Sequence, residues 1–208
     1  MEISVLFSFL AAAIALSFMP GSDNLYVFTE SVTKGPRKGL YVVLGLMTGV
    51  LVHTTLAATG LALVLRQNQD LFKAVSWAGA LYLLYLAWQA YREKPQLMQI
   101  KAPGTIQQKP NFWASYRKGF FMNVLNPKVT LFFLAFLPQF VRPEGGPALQ
   151  QFLFLGLLFI LQGSVVFGSI ALLAGQARQL IKNPVFWRVT YWLKIFILLA
   201  LALFLLLD

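Results

Sequence analysis

Six stretches of the chain are almost continuously apolar, and most charged side chains fall in the intervals between them. The runs extend from Ile3 to about Val32, Gly39 to Leu65, Leu71 to Tyr91, Gly119 to Val141, Leu149 to Gly175 and Phe186 to Leu207. A hydrocarbon core about 30 Å thick needs a helix of about 20 residues, so every run is long enough to span a bilayer. Only Glu2 carries charge ahead of the first run, which therefore lacks the basic start of a signal peptide and is expected to stay as a helix.

Two runs are interrupted. In the first, Phe18-Met19-Pro20-Gly21-Ser22-Asp23-Asn24 places a helix break and a carboxylate inside apolar sequence; in the fourth, Val124-Leu125-Asn126-Pro127 places a break there ahead of the cation Lys128. Proline lacks an amide donor, so Pro20 and Pro127, helped by the looseness of Gly21, free backbone groups that only protein or trapped water could satisfy. A charged side chain at such depth costs roughly 3 kcal/mol on insertion scales and is by default a functional hypothesis.

The longest polar interval, Arg92 to Arg117, contains Pro95, Pro103, Gly104 and Pro110 without helical or strand periodicity and reads as a flexible cytoplasmic linker. Three spans on each side of it force the halves to be inverted. The expected fold is an all-α membrane protein in which residues 1–208 form one transmembrane domain. Its six transmembrane helices make two inverted three-helix repeats, 3–91 and 118–207, joined by the linker 92–117, with helices one and four broken near the midplane. From Lys34 back to Asp23, and from Lys118 forward to Lys128, the helical rise amounts to roughly 15 Å, placing both breaks at matching depth. Paired broken helices in corresponding positions are the best sequence pointer to a transporter's binding site.

Composition fixes the class. With 58% hydrophobic residues, 12% charged and a mean hydropathy of +0.69, the chain of 208 residues excludes a soluble domain. The net charge of +10 is not gathered on a polar domain, which argues against a nucleic-acid partner. Lys34, Arg37, Lys38, Arg92, Lys94, Lys101, Lys109, Arg117, Lys118, Arg178, Lys182 and Arg188 fall in one set of connections, against Arg66, Lys73 and Arg142 in the other. That bias puts the first set in the cytoplasm and both termini outside it. The absence of cysteine excludes disulfides and thiolate metal sites, and no cofactor is expected.

Pro20-Gly21, Asp23-Asn24-Leu25-Tyr26-Val27, Gly35-Pro36-Arg37-Lys38-Gly39-Leu40 and Gly45-xxx-Gly49-xxx-His53 together resemble the LysE/RhtB family of bacterial amino-acid exporters. So does Lys118-Gly119-Phe120-Phe121-Met122-Asn123-Val124-Leu125-Asn126-Pro127-Lys128, continuing from Leu131 to Phe140. The likeness runs from about residue 5 to residue 205. It implies efflux of amino acids or close derivatives across the bacterial cytoplasmic (inner) membrane, driven by the proton gradient, with proton influx by antiport or exchange both open. The family usually has a second proline where this chain has Ser22, which softens the break. It often has an acidic residue where this chain has Val50, which removes one candidate proton carrier.

A zwitterionic amino acid brings an ammonium and a carboxylate into a low-dielectric site, and each needs a counter-charge or several hydrogen bonds. Asp23 suits the ammonium; Lys128, with the amides opening the half-helix after Pro127, suits the carboxylate. Asn24, Asn123 and Asn126 can orient either group, and Gln162 is a candidate wall at mid-span. Two blander readings stand beside these: Asp23 and Lys128 as a structural ion pair, and the asparagines as helix caps. His53, the only histidine, is a candidate proton relay together with Asp23, or a packed, hydrogen-bonded side chain. Gly45 and Gly49 read as a close-packing face. Gly156, Gly163, Gly168 and Gly175 suit packing within one chain or between two copies, so a homo-oligomer stays open. With Asp23 and Glu30 as the acidic groups on the cytoplasmic half, a neutral amino acid is favoured over a dibasic one. A cation or metal transporter of the same fold is the alternative, though one carboxylate, one histidine and no cysteine form no metal site. An intramembrane enzyme, with Ser164 or Ser169 and His53, is the remote one.

Overall fold

The computed structural model describes residues 2–61, 69–93, 111–177 and 183–207, and all regular structure among them is helical. The helices are α1 (Ile3–Phe18), α2 (Ser22–Lys34), α3 (Pro36–Leu56), α4 (Gln69–Arg92), α5 (Phe112–Val124), α6 (Pro127–Leu131), α7 (Ala148–Ala177) and α8 (Pro184–Leu207). α3 runs on through a π turn, Ala57–Leu61; α6 continues through a π turn, Phe132–Phe136, and a 3-10 turn, Leu137–Phe140. Pro138 cannot donate to the turn before it, which accounts for the loosened helix at that place. Most of the expected linker lies outside the described residues, as do Arg66, Arg178 and Lys182.

Pro36–Gly60, α7 and α8 are each long and apolar enough to cross a membrane. α1 with α2, and α5 with Pro127–Phe140, each qualify as one span bent by 57° and 48°, giving three to five candidate spans among the described residues. The expectation was six. α4, where the third of them is expected, is 24 residues long, with Asp70, Lys73 and Arg92 toward its ends and Trp77, Tyr82, Tyr85, Trp88 and Tyr91 among its aliphatic residues. Trp77, Tyr85 and Trp88 are exposed on the outside of the bundle, where amphipathic rings suit a membrane interface.

The prolines set the bends. Met19 and Asn126, the residues before them, are both extended, with ψ of 119° and 108°, as clash with the following ring requires. The two broken spans run in opposite directions: residues at the start of α1, just after Phe140, and near the end of α8 line one common cavity. At the other end the Tyr191 hydroxyl donates to the Tyr91 carbonyl at 2.7 Å and Lys194 meets Glu93 at 3.3 Å, so α4 ends where α8 begins.

Glycines hold the centre together. A Cβ at Gly45 would collide with the Tyr116 carbonyl, and one at Gly119 with the Val42 carbonyl, so α3 and α5 touch backbone to backbone. At Gly49 a Cβ would come within 2.8 Å of Asn123. Gly45 and Gly49 are therefore a close-packing face, as small residues in membrane helices often are. Gly156 seats Thr54 and Gly163 seats Met47, joining α7 to α3 within the chain, whereas Gly168 and Gly175 meet nothing within 4 Å.

Candidate functional site

The two interruptions meet inside the bundle, and the carbonyls that each proline orphans find partners on distant elements. Pro20 has no amide to give to Leu16 four residues earlier; the Lys128 Nζ donates to the Leu16 oxygen at 3.2 Å and to the Met19 oxygen at 3.5 Å. The next carbonyl, Ser17, accepts from Asn24 Nδ2 at 2.7 Å. Pro127 likewise removes the helical donor of the Asn123 carbonyl, which accepts from the Asn126 amide at 2.9 Å, and His53 Nε2 lies 3.1 Å from the same oxygen. A carbonyl only accepts, so Nε2 carries the proton in this geometry.

The charges sit at complementary helix ends. Lys128 closes the C-terminal end of α1, where the dipole is negative, and Asp23 stands in the first turn of α2, where it is positive. Asp23 is only 2% exposed. Its carboxylate accepts from Ser22 Oγ at 3.0 Å and from Asn126 Nδ2 at 2.9 Å. Asn126 also caps α6, its Oδ1 accepting from the Lys128 amide at 3.0 Å, so this asparagine both caps a half-helix and crosses to the other break. The two charges form no direct ion pair: Lys128 is engaged by carbonyls and Asp23 by neutral donors. Gly21 lies between the breaks, where a Cβ would stand 3.6 Å from Lys128 Nζ.

Gln162 reaches the same place from α7, donating through Nε2 to Ser17 Oγ at 3.0 Å and to the Phe159 carbonyl at 3.1 Å. Ser17 is thus a node for Asn24 and Gln162 that the sequence reading passed over; its signal was a lone hydroxyl in the last turn before Pro20. Among the described residues, the buried side-chain atoms without a partner are Asn24 Oδ1, Asn123 Oδ1 and Gln162 Oε1. Each costs about 1–3 kcal/mol; Asn24 and Asn123 flank the two breaks, and Gln162 reaches the first from α7. They are acceptors, suited to an incoming N–H or O–H donor.

His53 does not touch Asp23; it packs against Phe133 and holds the second break. Glu30 is buried but already paired with Lys34 at 2.6 Å. Among the described residues no three His, Asp or Glu side chains gather as a metal site would need. The void beside Lys128, lined also by Leu16, Gly79 and Leu83, has a volume of only about 10 Å³, room for about one water, and on the other side the breaks touch directly where Asn126 donates to Asp23 at 2.9 Å. A substrate enters only if they part.

Comparison with known proteins supplies the family. The profile of the LysE type translocator family matches residues 14–208. A homoserine/homoserine lactone efflux protein of Salmonella typhimurium is 32% identical over 86% of this chain and 84% of its own length. Uncharacterized membrane proteins of Bacillus subtilis and Vibrio cholerae are each 29% identical over 88% of this chain, and over 90% and 87% of their own. No solved structure matches the chain. Likeness over nearly the whole length, on apolar helices broken at two prolines, makes this chain a member of the LysE type translocator family, a membrane translocator and not an enzyme.

Proposed function

We propose that the chain exports an amino acid or a close derivative from the bacterial cytoplasm, with neutral substrates favoured and protons entering in exchange. The observation that carries this reading is the meeting of two broken spans at Asp23, Asn126 and Lys128, with three unpaired amide oxygens around them. Asp23 takes the substrate ammonium, displacing Asn126, and Lys128 turns from the Leu16 carbonyl to the substrate carboxylate. Asn24, Asn123 and Gln162 accept from the ammonium or from a side-chain hydroxyl, a feature consistent with the homoserine named for the Salmonella relative. Because Glu30 is already neutralised by Lys34, the breaks offer one free carboxylate, which suits one ammonium and not two.

Proton coupling follows from the same burial. A carboxylate in a low-dielectric site needs a cation or a proton, so Asp23 exchanges one for the other as substrate leaves, with His53 as a candidate relay. The architecture is six spans in two inverted repeats, α4 included, in the cytoplasmic membrane with both termini outside. Helix contacts support it: α3 packs on α5 as α7 packs on α1 and α2, while α3 with α7, and α4 with α8, pair across the halves.

The test is efflux of labelled homoserine, threonine, other neutral amino acids, lysine and homoserine lactone from preloaded cells, repeated in vesicles with and without an imposed proton gradient. Export of a neutral substrate, accelerated by the gradient and abolished in Asp23→Asn at normal membrane abundance, is expected. Efflux of none of the panel would refute the function, and near-normal efflux from Asp23→Asn would remove the carboxylate's role.

A further inference from the structure

Away from the breaks, at the end of the bundle where α1 begins and α8 ends, lies a cavity of about 730 Å³. That volume is in the ordinary range for small-molecule sites. Glu2, Ser4 and Ser8 line it from α1, and Arg142 and Glu144 from the connection ahead of α7. Among the described residues, neither Arg142 nor Glu144 is in an ion pair.

The wall carrying those two charges is built. Gln151, 4% exposed, accepts from the Arg142 amide at 3.1 Å and donates to the Arg142 and Gly146 carbonyls at 2.8 and 2.9 Å. Gly145 lies so close that a Cβ there would come 2.6 Å from Gln151 Oε1. One buried amide therefore fixes the backbone of the whole turn, and Arg142 and Glu144 face the cavity from a preset scaffold.

The floor is a layer of phenylalanines. Phe140 and Phe204 stack at 5.8 Å on the cavity side. Phe136 packs against both, at 5.3 and 5.0 Å, and also lines the small void beside Lys128. Phe140 and Phe204, backed by Phe136, thus stand between the cavity and the void beside Lys128.

We propose that this cavity is a second binding site for the exported zwitterion, on the side where it leaves. Arg142 holds the α-carboxylate through its planar fork, Glu144 and Glu2 hold the ammonium, and the phenylalanine layer closes the way back. The inference rests on the export reading above and adds a site with its own chemistry. An amino acid whose carboxylate is tied up as a lactone or methyl ester offers Arg142 a neutral carbonyl in place of a charged two-oxygen partner, so the site favours free acids over esters.

The chain has no cysteine, so Ser8→Cys introduces a unique thiol in the cavity wall. The full-length protein in intact cells is treated with a membrane-impermeant maleimide, with homoserine or its methyl ester outside. Homoserine at millimolar levels slows labelling and the methyl ester does not. Arg142→Gln weakens protection at least roughly tenfold, the order expected for losing one charge-assisted contact, and Arg142→Lys retains part of it. Labelling indifferent to homoserine, or protection equal in Arg142→Gln and in the parent, would overturn the second site. Efflux of the labelled panel from the same cells reports separately on export: efflux without protection overturns the second site alone, and protection with efflux of none of the panel supports the site while overturning export.

Discussion

Replacing Lys128 with methionine removes the donor that Pro20 makes necessary. In the folded protein the ammonium gives one good bond, to the Leu16 oxygen at 3.2 Å, and one at the limit of bonding, to the Met19 oxygen at 3.5 Å. Counting only the first, a hydrogen bond involving a charged group contributes about 1.5–3 kcal/mol, and its loss leaves a buried carbonyl unpaired. Pro20→Ala supplies the missing amide four residues after Leu16, so in that background Lys128→Met has less to remove. The double-mutant cycle in reversible unfolding from detergent micelles should show Lys128→Met costing about 2 kcal/mol alone and about 1 kcal/mol less beside Pro20→Ala. Transport should fail in Pro20→Ala, since a continuous helix removes the break. Strict additivity of the two substitutions would refute the reasoning that Lys128 is held by the carbonyl Pro20 orphans.

Other consequences are accessible to the same assays. His53→Phe should lower stability by about 1 kcal/mol, since the Asn123 carbonyl loses the imidazole donor but keeps the Asn126 amide at 2.9 Å, whereas His53→Gln keeps a donor and most of the stability; proton-coupled efflux surviving in His53→Gln would eliminate the relay. Gly45→Ala and Gly119→Ala should each cost about 1–3 kcal/mol by forcing α3 and α5 apart, while Gly168→Ala, with nothing within 4 Å, should be neutral or slightly stabilising; equal effects at these positions would contradict the packing described. Gln162→Leu should raise the KM for efflux several-fold with little loss of stability, because only one of its amide atoms is paired outside its own helix; an unchanged KM would remove it from the site.

Membrane class was legible because run length and bilayer thickness are both local quantities, read without knowing any contact. The breaks were legible for a similar reason: the missing amides of Pro20 and Pro127 belong to the residues themselves and hold in any fold. Helix pairing through Gly45 and Gly49 could be anticipated from their spacing, though not that Gly119 would face the same seam from α5. Arrangement of the site was another matter. Nothing along the chain says that Lys128 would serve α1 across 112 residues, that His53 would serve Asn123 across 70, or that Asn24 and Gln162 would converge on Ser17. A residue's own chemistry states what it can donate or accept. Which partner it meets depends on how the helices are laid against one another, and that is settled only when the whole bundle packs.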